Sequence, residues 1–168
     1  MSRTEANPLF THESLPNFES IRTEDIEPGI RQLIKELEEN VSGLEETLAP
    51  TWDGLVARRI DISEPLSYGW GIVHNLHSVR NNPELRAVYE TLEPEVVQIS
   101  LRVSQSKPIY KGLKALRDGP QRDQLDRAQK RAVEIRIRDA ALAGVGLEGQ
   151  AQARFSEIVT ELSALGTR

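Results

Sequence analysis

The sequence contains no cysteine, and aromatic residues make up only 5% of its 168 positions. Without thiols the chain forms neither disulfides nor thiolate metal sites. It also lacks any apolar run close to the roughly 18 residues that identify a membrane-spanning helix. Hydrophobic residues reach 38% of the chain. We therefore expect a single domain with a modest hydrophobic core.

Charge of one sign is not concentrated anywhere in the chain. The formal net charge is −5, and acidic and basic residues are interleaved. No basic stripe with interspersed aromatic residues is present, which argues against a nucleic-acid partner. The first ten residues resemble neither a secretory signal nor an organellar transit peptide. The expectation is a cytoplasmic protein that binds neither nucleic acid nor a membrane.

Apolar residues that recur at steps of three and four positions dominate the pattern of the chain. The longest such stripe runs from Ile26 to Leu48 and is typical of one face of an amphipathic helix. Thr23 is predicted to cap this helix, and Pro28 predicts a kink or a late start. The turn at Ala49-Pro50 predicts its end. Comparable stripes predict further helices over residues 51–60, 63–79, 84–92, 94–119, 124–144 and 148–165.

Prolines and glycines divide these segments. Pro65, Gly69 and Gly71 predict an irregular stretch over residues 60–71, and Pro94 predicts the start of a new helix. A bend is expected at residues 106–108. The sequence shows no alternating strand pattern and no fixed repeat. We predict an all-α protein with six to seven antiparallel helices in a bundle or array over residues 23–168, preceded by an extended arm at residues 1–22.

Histidines are the first candidates for chemistry, at His12, His74 and His77. His74 and His77 are three positions apart, so both rings could share a metal on one helix face. A zinc peptidase motif requires a glutamate directly after the first histidine and a second histidine four positions on. Asn75 and Ser78 occupy those positions. The alternative is that one ring faces solvent and the other packs beside Trp70.

Other candidate patterns are better explained by structure than by catalysis. Gly144, Gly146 and Gly149 follow no strand and precede no Lys-Ser/Thr pair, so they predict a turn between helices, not a phosphate loop. The acid pairs Glu38-Glu39 and Glu45-Glu46 are expected on the outer face of a helix, where they favour solubility. No serine has a histidine and an acid in a triad arrangement. We therefore predict no catalytic, cofactor-binding or metal-binding residue in this chain.

A series of short motifs nevertheless extends in order from about residue 7 to residue 166. These are Asn7-Pro8-Leu9, Pro16-x-Phe18, Ile21-Arg22, Ile26-x-Pro28, Pro50-Thr51-Trp52, His77-Ser78-Val79, Asn82-Pro83-Glu84-Leu85-Arg86, Gln105-Ser106-Lys107-Pro108-Ile109-Tyr110, Ala128-Gln129-Lys130-Arg131, Gly144-Val145-Gly146-Leu147, Arg154-Phe155-x-Glu157-Ile158 and Glu161-Leu162. Their order resembles the N-terminal part of the oligopeptidase A branch of the thimet-type zinc metallopeptidases. The chain departs from that family around Asp61, Ser63 and Pro65.

The resemblance implies a part of a longer, clamshell-like helical enzyme whose deep channel admits only short peptides. In that family, the zinc ligands and the catalytic glutamate lie in the C-terminal half, and none has a counterpart here. The resemblance therefore implies a non-catalytic segment that contributes channel wall and substrate size selection. Its implied partners are short peptides and the C-terminal catalytic portion, with zinc only in the full-length enzyme. The alternative is a free-standing helical interaction module without peptidase activity.

The segment hypothesis has a structural consequence for the last predicted helix. If the chain is part of a larger lobe, some apolar stripes should lack partners within the chain. The stripe that carries Phe155, Ile158 and Leu162 is the leading candidate. Because a monomer seldom leaves a large apolar patch exposed, such a stripe would indicate a surface made for contact with another polypeptide.

Overall fold

The computed structural model describes residues 7–10, 15–80 and 82–166. Within them lie six α-helices: α1 (Thr23–Glu46), α2 (Arg58–Arg80), α3 (Pro83–Ser104), α4 (Lys107–Asp118), α5 (Arg127–Leu142) and α6 (Gly149–Gly166). A π-helical turn, Trp52–Ala57, runs directly into α2. The described residues form no strand, so the predicted all-α class with six to seven helices is confirmed. The antiparallel order stays a prediction.

Helix α1 occupies the middle of the fold, packed against both α2 and α3. Its predicted stripe is buried as expected, and Ile30, Val41 and Leu44 are completely inaccessible to solvent. The predicted cap is wrong, because Thr23 is the first helical residue and Arg22 precedes it. The carboxylate of Asp25 instead accepts the backbone N–H of Arg22 at 3.3 Å, which satisfies a donor at the start of the helix. The helix continues through Pro28, so the late start does not occur.

Helix α2 corrects the prediction of an irregular stretch over residues 60–71. It is continuous from Arg58 to Arg80 with Pro65 inside it. The carbonyl that Pro65 leaves without a helical partner belongs to Asp61, an exposed residue, so water can satisfy it. Gly69 faces α1 so closely that a Cβ there would lie 2.8 Å from Cδ1 of Leu33. This glycine serves a close helix–helix contact and does not interrupt the helix.

Helix α3 corrects a second prediction, since Pro94 lies inside it and does not start a helix. The carbonyl freed by Pro94 belongs to Glu90, which is also exposed. The bend expected at residues 106–108 is a complete break, and Ser106 begins α4 by accepting the backbone N–H of Ile109 at 3.2 Å. Thr51 likewise caps the π-helical turn, as predicted, by accepting the N–H of Gly54 at 3.0 Å.

The N-terminal segment contacts the helices mainly through Leu9, which is fully buried and lies in a 3-10 turn, Pro8–Phe10, against α1 and α2. The side-chain amide of Asn7 donates to the carbonyl of Asp25 at 2.8 Å. Phe18 packs partly on the core, whereas Leu15 is exposed. The predicted extended arm is therefore not confirmed, and the boundary between residues 1–22 and 23–168 stays a prediction.

The turn between α5 and α6 confirms the structural interpretation of its glycines. Gly144 has a φ of 82°, which L side chains rarely adopt. Its N–H donates to the carbonyl of Ala141, and the N–H of Val145 donates to that of Ala140, both at 3.1 Å. These two bonds are those of a Schellman motif, which ends α5. Among the described helices, none is long and apolar enough to cross a bilayer.

Candidate functional site

The main candidate surface is the exposed apolar stripe of α6, formed by Phe155, Ile158, Leu162 and Leu165. Ile158 is 41% exposed, Leu162 63% and Leu165 62%, while Phe155 is half-buried beside the Gly144 turn. None of the residues of α6 is classed as buried. The predicted lack of a partner for Ile158 and Leu162 is therefore confirmed within the described part of the chain.

Helix α6 packs against α3, and polar side chains supply hydrogen bonds between the two helices. The side-chain amide of Gln152 donates to Oε1 of Gln105 at 3.1 Å, and the hydroxyl of Ser163 donates to Oε1 of Glu93 at 2.8 Å. Gln105 also donates to the backbone carbonyl of Ala143 at 2.9 Å, which ties the preceding turn to the same place. Hydrogen bonds thus help to orient the helix, while Phe155 is half-buried and Ile158, Leu162 and Leu165 remain exposed.

An open groove of about 760 Å³ separates α3 from α6. Its walls combine Leu101 and Arg102 of α3 with small residues of α6, among them Ala153 and Ala164. Ser156 and Thr160 also line it, and their hydroxyls donate to carbonyls within α6 itself. Since those hydroxyls are already satisfied, this groove offers shape and apolar area more than unpaired hydrogen-bonding groups.

The two described histidines both contact one buried aromatic ring. His77 stacks on Tyr89 at 4.2 Å between centroids, and Nδ1 of His74 lies 3.1 Å from the Tyr89 hydroxyl. Trp70 also stacks on Tyr89, at 4.7 Å. Burial raises the pKa of the Tyr89 hydroxyl, and the carboxylate of Glu93 adds to the shift. Sequence reasoning placed one histidine beside Trp70 but did not identify Tyr89 as their common partner.

A zinc site does not fit the residues that the structure describes. No group of three or more histidine and acidic side chains is arranged to hold a metal ion in residues 7–10, 15–80 and 82–166. His74 and His77 supply two nitrogens near Tyr89, fewer than the three protein ligands of a catalytic zinc. The third histidine candidate, His12, lies outside the described residues.

A partly buried ion pair between α1 and α3 was not expected from the sequence. Both terminal nitrogens of Arg102 donate to the two carboxylate oxygens of Glu45 at 2.8 Å, and the Ser106 hydroxyl donates to Oε1 of Glu45. These bonds, the Arg102 pair first, hold the pKa of Glu45 below its ordinary value. Nε of Arg102 also lies 3.3 Å from Oε1 of Glu38. The prediction that Glu45 simply faces solvent is wrong, since its side chain is 16% exposed.

This helical architecture belongs to a known class of domain. Residues 30–152 match the model of the neurolysin/thimet oligopeptidase N-terminal domain. The chain is therefore a member of this N-terminal domain family, as the order of its motifs implied.

Curated relatives place the match within the oligopeptidase A branch. The chain is 39% identical over 160 residues to a probable cytosolic oligopeptidase A of Arabidopsis thaliana, covering 95% of this chain and 23% of that protein. It is also 39% identical over 160 residues to the organellar oligopeptidase A, chloroplastic/mitochondrial, of the same plant, covering 95% of this chain and 20% of the relative. Identity to oligopeptidase A of Escherichia coli K12 is 37% over 163 residues, covering 96% of this chain and 24% of that protein. The chain thus spans about a quarter or less of the length of these relatives.

Proposed function

We propose that this chain is the non-catalytic N-terminal helical segment of an oligopeptidase A-like zinc metallopeptidase that degrades short peptides. In this proposal it forms part of the channel wall, helps to select substrates by size, and works in the cytoplasm. Zinc belongs to the C-terminal catalytic portion of the enzyme, not to this segment. The observation that carries the proposal is the exposed apolar stripe of α6 in a chain that matches only the first part of longer oligopeptidases.

The stripe supports this assignment through its energetics. Burying one Leu or Ile side chain completely contributes about 1.5–3 kcal/mol, so covering Ile158, Leu162 and Leu165 would stabilise an interface substantially. Because these side chains are exposed within the chain, most of that stabilisation is gained only when another polypeptide covers them. The occupant we propose is the remaining polypeptide of the longer family members, because this chain covers only about a quarter of their length.

A segment of this kind acts by positioning and exclusion. A rigid wall of packed helices admits an extended peptide and rejects a folded protein, while the reacting groups are supplied elsewhere. Holding the substrate in one geometry supports catalysis without any contribution to bond cleavage from the wall itself. We therefore expect the 168-residue chain alone to bind no stoichiometric zinc and to cleave no peptide. Calorimetric zinc titration and a fluorogenic peptide assay measure both properties.

The decisive experiment adds a separately expressed C-terminal portion of a related oligopeptidase A to this chain. We expect a one-to-one complex by sedimentation velocity, with suppression of any self-association of the free chain. Ile158→Asp should abolish the complex, because it places a charge in the apolar interface. Ile60→Asp is the matched control, since Ile60 is also 41% exposed but lies in α2.

Two results would contradict the proposal. One is a chain that remains monomeric, unfolds cooperatively, binds no hydrophobic dye and ignores the C-terminal portion, which is the behaviour of a free-standing interaction module. The other is a complex that Ile60→Asp disrupts as strongly as Ile158→Asp. Recovery of peptide cleavage in the mixed sample would extend the result from assembly to activity.

A further inference from the structure

Two small cavities lie on either side of Arg59, near the start of α2. One, the α5-side cavity, has a volume of about 240 Å³ and is lined by Arg59, Ser104, Tyr110 and Arg136. The other, the α1-side cavity, has a volume of about 260 Å³ and adjoins Arg59, Ser63 and Ser104. Arg59 and Ser104 border both cavities, so a guanidinium and a hydroxyl group are available from either side.

Neither arginine has a counter-charge within the described part of the chain. Arg59 and Arg136 are both half-buried, and neither forms a hydrogen bond or an ion pair there. Burial lowers the pKa of Arg59, and the nearby charge of Arg136 lowers it further. Two like charges that share a partly desolvated site repel each other, which is unfavourable unless an anion lies between them.

The one acid among the lining residues of the α5-side cavity is engaged elsewhere. Asp139 lines the α5-side cavity, but its Oδ1 accepts hydrogen bonds from Nε and a terminal nitrogen of Arg138 at 3.0 and 2.8 Å. The positive charge of the cavity is therefore left without compensation by the side chain best placed to supply it.

A second, independent observation concerns the α1-side cavity. The hydroxyl oxygen of Ser63 is buried and has no hydrogen-bond partner. An unpaired buried hydroxyl costs about 1–3 kcal/mol, and most such groups in folded proteins have a partner. Ser63 lines this cavity together with Arg59 but forms no hydrogen bond with it, so the guanidinium is unpaired on this side as well.

We propose that the α5-side cavity binds an oxyanion, either a carboxylate or a phosphate, held by Arg59 and Arg136. Guanidinium groups suit both anions because their N–H groups form paired hydrogen bonds to two oxygens. A volume near 240 Å³ is below that of sites for drug-sized ligands. The occupant is therefore a small anion or the charged end of a larger molecule. The inference rests on these side chains alone and is independent of the proposed function.

The test measures anion binding to the 168-residue chain by titration calorimetry and by thermal unfolding. Inorganic phosphate is compared with sodium chloride at equal ionic strength. N-acetyl-trialanine with a free carboxylate is compared with its C-terminal amide. We expect a saturable rise in Tm with phosphate or with the free carboxylate but not with chloride. Phosphate binding alone would indicate a phosphate site, and discrimination between the two peptides would indicate a peptide C-terminus.

Variants separate the site from general effects of charge. Arg59→Gln and Arg136→Gln should each weaken anion binding about tenfold or more, the loss expected for one charge-assisted hydrogen bond. Arg131→Gln removes an exposed arginine of α5 that lines neither cavity and does not pair with Asp139, so it is the matched control and should bind like the original chain. Without added anion, Arg59→Gln should also raise Tm, because it removes an uncompensated, partly buried charge.

Several outcomes would overturn the proposal. These are no saturable binding by phosphate or carboxylate, unchanged binding in Arg59→Gln, or equal weakening in Arg131→Gln. A lower Tm of Arg59→Gln in chloride would also count against it, because it would show that the guanidinium already has a stabilising partner. Arg59→Lys keeps the charge without the paired donors and should bind more weakly than the original chain but better than Arg59→Gln.

Discussion

Helices α4 and α6 are both amphipathic, but the apolar face of α4 is buried and that of α6 is largely exposed. The 12 residues of α4 include four that are buried, Ile109, Gly112, Leu113 and Leu116. The 18 residues of α6 include none. An apolar stripe therefore shows that a helix is made for burial, but the covering surface has to be found in the fold. For α4 that surface lies within the chain, and for α6 we propose that it lies in another part of a longer enzyme.

The largest expected effect compares truncation of a leucine in each of these helices. Leu116→Ala in α4 removes a fully buried side chain and should cost about 3 kcal/mol in the free energy of unfolding, from lost burial and a cavity. Leu162→Ala in α6 removes a side chain that is 63% exposed and should change stability by less than about 0.5 kcal/mol. Urea unfolding measures both, and equal losses would contradict the contrast between the helices.

A smaller effect distinguishes the packed and exposed faces of α2. A methyl group at Gly69 would lie 2.8 Å from Leu33 Cδ1, so Gly69→Ala should destabilise the protein by about 1–3 kcal/mol through overpacking. Gly71 has no atom within 4 Å of such a methyl group. Gly71→Ala should therefore stabilise the helix by about 0.4–1 kcal/mol. Thermal unfolding of the two variants should shift in opposite directions, and a gain for Gly69→Ala would show that Leu33 moves freely.

The smallest effect tests the ion pair that joins α1 to α3. The pKa of Glu45 is lower in the folded protein than in the unfolded chain, where it is near 4.3. The ionised carboxylate therefore contributes its full stabilisation above the unfolded pKa, and this stabilisation is lost as the pH falls through the folded pKa. Glu45→Gln should cost about 1–2 kcal/mol at pH 7 and should lessen the loss of stability below about pH 4.5. Glu46→Gln, at an exposed position, is the control. A pH profile for Glu45→Gln that matches the original chain would show that the pair does not stabilise the fold.

Local signals account for the features that the sequence predicted correctly. The stripe of α1, the Thr51 cap and the glycine that ends α5 each depend on residues only a few positions apart. The exposed stripe of α6 was also predicted, but that inference required the family resemblance in addition to periodicity. The order of motifs likewise identified the family that the comparisons establish.

The incorrect predictions concern contacts between residues far apart in sequence. Pro65 and Pro94 are statistical helix breakers, yet tertiary packing keeps α2 and α3 continuous. The Glu45–Arg102 pair joins positions 57 residues apart, and no periodicity indicates which acid on α1 turns inward. The cavities beside Arg59 also depend on residues from several helices, so they were not predicted.

The limited burial of α6 has a consequence for local unfolding of the protein. No residue of α6 is fully buried, so separating this helix from α3 breaks the hydrogen bonds of Gln152 and Ser163 and exposes only partly covered side chains such as Phe155. We therefore expect α6 to open and close as one unit of local unfolding while the core around α1 stays intact. A partner that covers the stripe would suppress this motion. Binding of the partner would therefore lengthen the time for which α6 stays packed against α3.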